Sequence, residues 1–217
     1  MSRAAFRLRT VVDGVFGENT YLAHIDSRDD CLVIDPGFDP EAIIGELRGA
    51  KWVPAAILNT HGHADHIAGN GDLKKQWPEC PILIGEEDAP KLTDGMLNLS
   101  RPYGMDVLSP PADRVLRDGD IVSLAGFELE VISVPGHSQG HVVYLWKGVD
   151  PWLAFVGDVI FQGSIGRTDF PDGNTDQLLS GIRKRLYQLP DSTQLLPGHG
   201  PATTVGEEKR QNPFVRG

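Results

Sequence analysis

Apolar residues along this chain alternate with polar ones, or cluster in short runs bounded by Gly, Pro, Asn and Asp. That pattern predicts many short strands. They fall at Phe6–Val12, Thr20–Ile25, Cys31–Ile34, Ala55–Leu58, Ile82–Ile84, Ile121–Leu124, Glu128–Val134, Val142–Trp146, Trp152–Val156 and Thr193–Leu196. The helical period of 3.6 is rarer. Asp39-Pro40-Glu41 opens Pro40–Gly49 with an N-cap and a proline at the first position. His66–Trp77 follows, weakened by Gly69 and Gly71. Asn174–Leu189 is the clearest helix, with Leu178, Leu179, Ile182, Leu186 and Leu189 on one stripe. A short helix from Val205 to Asn212 is expected near the end. Between the two mixed regions lies a loop-rich middle, Glu86–Asp113. Interleaved strands and helices mean α/β layers, and no shift in composition marks a linker, so residues 1–217 read as one domain.

Composition narrows the function classes. At 217 residues the chain is near the size of one domain and buries on the order of 70% of its unfolded surface. Apolar residues make up 40% and charged residues 23%, the balance of a soluble globular protein. A net charge of −10 disfavours a binder of nucleic-acid backbone. No apolar run approaches the ~18 residues of a membrane span. The stretch from Met1 to Val12 carries Arg3, Arg7 and Arg9 with no continuous apolar segment after them, so no secretory signal is expected. Cys31 and Cys80 have no CxxC spacing and read as two reduced, buried thiols of a cytoplasmic protein.

Five of the seven histidines fall in one pattern. It runs Thr60-His61-Gly62-His63-Ala64-Asp65-His66, then Gly136-His137, Gly157-Asp158 and Gly198-His199. Each of the four segments follows an apolar strand, and a Gly or polar turn residue precedes the donor. Strand ends are rigid platforms whose loops can converge on one point. Neutral imidazole and carboxylate are ligands for zinc, iron and manganese. Five His and two Asp are too many for one tetrahedral ion. They suit two divalent ions sharing a carboxylate and a bridging hydroxide, because such ions ionise bound water near neutral pH. Two divalent ions, two aspartates and a hydroxide leave a net charge of +1, enough to attract an anionic substrate to an acidic protein.

At these residues the chain resembles the metallo-β-lactamase fold superfamily. The resemblance runs from Asn19-Thr20-Tyr21-Leu22 and Asp35-Pro36-Gly37 to Pro197-Gly198-His199-Gly200. It implies a four-layer αβ/βα sandwich, with the metals at the sheet edge between two similar halves. It places His61, His63 and His137 on the first metal, and Asp65, His66 and His199 on the second, with Asp158 bridging. Gly157–Phe161 and Gly163–Pro171 look like the glyoxalase II (hydroxyacylglutathione hydrolase) branch, in its short bacterial form. Only 18 residues follow His199, so the helical domain that brings basic residues to glutathione in longer members is not expected. Arg167 remains the candidate for an anionic substrate group, and Lys209 and Arg210 read as a solvated pair.

The resemblance implies hydrolysis of a small anionic thioester such as S-lactoylglutathione, with Asp65 and Asp158 acting through metal-held hydroxide. The first metal would polarise the acyl oxygen. A thiol of pKa about 8.5 leaves without much proton help, which fits a sequence with no evident general acid. The alternative on the same scaffold is persulfide dioxygenase, using one iron at His61, His63 and Asp158 or His137. Lactonase, β-lactamase, nuclease and non-catalytic metal-binding readings follow at a distance. Elsewhere, Asp35 is either a ligand-orienting residue or an ordinary Asp-Pro-Gly turn. His141 reads as structural and His24 as without a role. Tyr103, Met105 and Pro102–Pro111 read first as an irregular surface loop. The sequence is silent on oligomeric state.

Overall fold

Alternation along the strands sorts the apolar side chains into three separate cores, and three cores require four layers. The computed structural model describes residues 5–217; Met1 and Arg3 of the expected leaderless terminus lie outside them. One six-stranded sheet runs in the order β1 (Phe6–Val12), β2 (Asn19–Ile25), β3 (Asp30–Ile34), β4 (Val53–Leu58), β5 (Ile82–Gly85) and β6 (Arg114–Leu116). Its first two pairings are antiparallel and its last three parallel. The second sheet contains β7 (Ile121–Leu124), β8 (Phe127–Ser133), β9 (Val142–Trp146), β10 (Leu153–Gly157), β13 (Gln194–Pro197) and β14 (Thr203–Thr204). Its order is β14-β13-β10-β9-β8-β7, with β10 and β13 parallel. A small hairpin, β11 (Ile160–Phe161) and β12 (Ser164–Ile165), stands beside it.

Along β3, Leu32 and Ile34 face the core between the sheets, while Cys31 and Val33 face the helices outside. Along β10, Leu153 and Phe155 point inward, and Ala154 and Val156 point outward. The outer core of the first sheet is closed by α1 (Pro40–Ala50), α2 (Ala64–Ile67) and α3 (Asn70–Gln76). In α1 the buried stripe is Ile43 and Leu47, one turn apart, and Asp39 caps the start by accepting from the Ala42 amide at 3.0 Å. The second sheet is covered by α4 (Thr175–Lys184) and α5 (Val205–Gln211). This is the αβ/βα sandwich expected from the sequence. Among the described residues no helix is long and apolar enough to cross a membrane.

The differences from the sequence reading are local and have causes. The helix expected over His66–Trp77 is two helices, because the backbone turns at Gly69, whose amide bonds the Pro36 carbonyl at 2.8 Å. The helix expected to reach Leu189 ends at Lys184. Arg185 caps it, its amide donating to the Gly181 carbonyl, and Leu186–Gln188 continues as a 3₁₀ turn. The middle region holds 3₁₀ turns at Glu86–Thr93 and Arg101–Tyr103. Strands β6, β11, β12 and β14 are too short to show a period. Cys31 and Cys80 are buried and free, as expected.

Candidate metal centre

Strands β3, β4, β8, β10 and β13 deliver Asp35, the His61–His66 loop, His137, Asp158 and His199 to one edge of the sandwich. The two sheets are bolted together at that edge. The Tyr144 hydroxyl donates to the Asn59 carbonyl at 2.8 Å, and the Val142 amide donates to the Thr60 carbonyl at 2.8 Å. Asn19 grips the turn that carries His199: its side-chain amide donates to the carbonyls of Pro197 (3.0 Å) and Gly200 (2.8 Å). Glycines in these turns are required by space. At Gly157, whose φ is +46°, a side chain would strike Thr60 and His141, and at Gly198 it would strike Asp158 and His66.

All seven sequence-predicted donors meet. The Nε2 of His137 lies 2.9 Å from His63 Nδ1 and 3.3 Å from His61 Nε2. Asp65, His66 and His199 form a second cluster, with His199 Nε2 3.3 Å and His66 Nε2 3.8 Å from Asp65 Oδ2. Asp158 stands between the clusters. Its Oδ1 is 3.4 Å from His66 Nε2, and its Oδ2 is 3.6 Å from His137 Nε2 and 3.7 Å from His199 Nε2.

The backs of the rings are held. Asp35, buried and with φ +48°, accepts from the Thr60 amide (2.7 Å), the Thr60 hydroxyl (2.6 Å) and His66 Nδ1 (3.1 Å). Thr60 Oγ1 in turn lies 3.1 Å from His61 Nδ1. His137 Nδ1 donates to the Arg167 carbonyl at 2.8 Å. Asp35 is therefore an orienting residue rather than only a turn. His141 has the structural role expected of it: its Nε2 accepts the Asp158 amide at 3.1 Å, and its ring stacks on His61. His24 likewise stays out of the site, stacked on Trp52.

Burial, helped by neighbouring imidazoles, pushes the basicity of His61 down, and burial does the same to His63 and His137. Burial also works against the charged form of His66, but Asp65 and Asp158 outweigh it and raise that ring. Burial would raise the Asp158 carboxyl, but His66 and the other rings hold it far below the usual carboxylate range.

The donor set fits divalent metal ions. Three ring nitrogens facing one another cannot all be satisfied by hydrogen bonds among themselves, since each neutral imidazole has one donor and one acceptor. His66 Nε2 and Asp158 Oδ1 are buried with no hydrogen-bond partner and face each other. A cation between them satisfies both.

Beside the edge that carries the donors opens a cleft of about 330 Å³, with Phe16, Leu99, Tyr103, Met105, Arg167 and Phe170 around them. Arg167 lies in it as expected, and Tyr103 and Met105 belong to its wall rather than to an idle loop. Lys209 pairs with Asp191 at 2.7 Å and does not line it. Phe16 and Leu99 gave no sequence clue, because they sit in irregular loops without period. The same holds for Lys91, buried beneath the histidine loop. Its ammonium reaches Ser138, Asp172 (2.6 Å) and Asp88 (3.3 Å). Asp88 also accepts the amides of Gly62 and Gly140, each at 2.8 Å. Glu18 was also missed: it is fully buried, and burial raises its carboxyl well above the usual range.

Residues 13–199 match the family described as the metallo-beta-lactamase superfamily. Two curated relatives align over most of both chains. "Probable metallo-hydrolase YqgX" of Bacillus subtilis is 40% identical over 88% of this chain and 90% of its own. "Hydroxyacylglutathione hydrolase GloC" of Haemophilus influenzae is 36% identical over 88% and 89%. Two solved structures superpose closely. The BLEG-1 B3 metallo-beta-lactamase has a TM-score of 0.92 and 35% identity, covering 97% of this chain and 100% of that one. TTHA1623 in a di-iron-bound form has a TM-score of 0.82 and 35% identity, covering 95% and 100%.

Proposed function

The chain belongs to the metallo-β-lactamase superfamily, and from that premise we propose that this metallo-hydrolase is a binuclear enzyme cleaving small acyl thioesters. The carrying observation is the position of Asp158. One carboxylate oxygen faces the His66 ring and the other faces His137 and His199, so a single aspartate reaches both clusters. His61, His63 and His137 would hold one ion, and Asp65, His66 and His199 the other. We take zinc as the first candidate, with iron supported by the di-iron-bound neighbour. Bound divalent ions supply Lewis acidity and a water ionised near neutral pH.

The chain's own residues do the rest. Asp35 and Thr60 fix the His61 and His66 rings, and the Arg167 carbonyl fixes His137, so their lone pairs face the donor clusters without rearrangement. The His141 ring, accepting the Asp158 amide, keeps that carboxylate between the clusters. Among the residues lining the cleft no side chain stands out as a general acid, and a thiolate is a leaving group that needs none. S-lactoylglutathione is the reference substrate, given the name of the 36% identical relative. β-Lactam hydrolysis is the second reading, favoured by the 0.92 TM-score to a B3 enzyme. The two buried free thiols support a reducing, cytoplasmic setting.

The test is metal content paired with a substrate panel. Protein stripped by chelator should lose activity and regain it as about two equivalents of metal return. Thioesters should be cleaved faster than a β-lactam, a lactone or a phosphoester. Full activity at one equivalent, or oxygen uptake with glutathione persulfide on a single iron, overturns the proposal. So does faster cleavage of the β-lactam.

A further inference from the structure

The mouth of the cleft is built for an apolar group. Phe16, Leu99, Met105 and Phe170 line it together with the donors, and Tyr103 is its most exposed aromatic. These walls are held in place. Asp13 fixes the loop that carries Phe16, accepting the amides of Val15 (2.7 Å), Phe16 (2.8 Å) and Glu18 (2.8 Å), and the Phe16 ring packs on Phe38. Leu99 stands at φ +69°, a left-handed conformation that glycine adopts without strain and leucine does not. Buried Asn98 holds it there. The Asn98 side chain donates to the carbonyls of Lys91 (3.1 Å) and Val107 (2.8 Å) and accepts the Ser100 amide (3.0 Å). A leucine kept in that conformation presents a fixed apolar surface to the cleft.

The charge at the mouth is already answered. Arg167 is the one permanent cation among the described residues lining the cleft. Its guanidinium is held in a two-point pair by Asp169, at 2.7 and 2.8 Å, and lies 4.3 Å over the Phe170 ring. A substrate carboxylate arriving there meets a neutral pair, with the fork that suits it best already engaged. Lys91 is turned away beneath the histidine loop and paired.

We propose that the cleft beside the donors takes an apolar acyl chain and an uncharged thiol, rather than the anionic thiol suggested by the sequence motif. This rests on the thioester reading of the same site and names its specificity. The Arg167–Asp169–Phe170 unit then acts as a wall, and its guanidinium face is part of the apolar contact.

The test is calorimetric binding of four non-hydrolysable thioethers to the metal-loaded protein: the S-methyl and S-hexyl derivatives of N-acetylcysteamine and of glutathione. Hexyl should bind about tenfold more tightly than methyl in both series, since about two methylenes buried in the cleft suffice for that gain. Glutathione should hold no advantage over the uncharged thiol. Asp169→Asn should release Arg167 and raise affinity for the glutathione series, relative to the neutral series, at least about threefold. The proposal is overturned by a hexyl gain below threefold, by a glutathione advantage of threefold or more in the unaltered protein, or by no response to Asp169→Asn. Failure of the hydrolase reading looks different: thioethers bind in the expected order, but no thioester is cleaved. Conversely, S-lactoylglutathione cleaved faster than S-hexanoyl-N-acetylcysteamine keeps the hydrolase and removes this specificity.

Discussion

The back of the site and its mouth are built by different rules. At the back, donors stand on strand ends, all but Asp65 and His199 are buried, and they are held by buried partners such as Asp35, Thr60 and His141. At the mouth, side chains stand on irregular loops, and Phe16 and Tyr103 remain 44% and 60% exposed. Chemistry that depends on ligand geometry tolerates little displacement, so it is placed where the sheets fix it. Recognition can change with a few loop residues and leave the reaction untouched. Relatives with names as different as a hydroxyacylglutathione hydrolase and a B3 metallo-beta-lactamase are what such a division allows.

The largest effect should come from the back. His63→Ala removes a donor facing both His61 and His137. Turnover should fall below detection and metal content should drop, with circular dichroism unchanged, because His63 belongs to none of the three apolar cores. Substantial residual turnover would remove His63 from the machinery and blur the contrast with the mouth.

Next is the link between the two regions. Lys91 ties Asp88, under the histidine loop, to Asp172, just beyond Phe170 on the mouth. Lys91→Met leaves two carboxylates without their cation, and breaking a buried pair costs about 3 kcal/mol. The melting temperature should fall by roughly 6–12 °C for a chain of this size. An unchanged melting temperature would mean the two regions are joined by packing alone.

Asp35→Asn keeps the shape but removes the charge that faces the His66 ring and Thr60. Loss of such a partner commonly costs about 10–100-fold in metal affinity or activity. Competition with a chromogenic chelator measures it. A change under about threefold would make Asp35 a structural turn, the reading the sequence left open.

The same contrast decides what the sequence could show. The back was legible because strand ends recur: Gly136-His137, Gly157-Asp158 and Gly198-His199 each follow an apolar run, so the order of donors can be read without coordinates. The continuous apolar runs Cys31–Ile34 and Trp152–Val156 likewise announced strands buried on both faces, as in layered sheets. The mouth was not legible. Phe16, Leu99 and Met105 lie in segments with no period, and what sets the Leu99 loop against the histidine loop is a contact between distant segments, the Asn98 carbonyl taking the Ala64 amide at 3.0 Å. Arg167 was readable as a cation, but its two-point pair with Asp169 depends on a turn conformation that no spacing reveals. Lys91 carries no motif, and of its partners only Asp88 lies in its own segment, with Ser138 and Asp172 in two distant loops.

The smallest effect sharpens the link itself. Burial raises the Asp172 carboxyl, but the hydrogen bond and charge of Lys91 more than reverse this, leaving it below the ordinary value. A carboxyl lowered in the folded state stabilises fully above its unfolded value of about 3.9, and that contribution fades as pH falls through the lower folded value. Asp172→Asn should therefore be less stable than the parent at pH 7, and the gap should close toward pH 3, as read by urea unfolding at both. Asp172 is partly open to solvent, so the gap at pH 7 should be smaller than the loss from Lys91→Met, whose ammonium is buried and meets two carboxylates. A gap that stays constant with pH would mean that the Asp172 side chain acts by shape, through its contact with the Gln139 amide at 3.3 Å. The mouth would then be tied to the back by a hydrogen bond rather than by an ion pair.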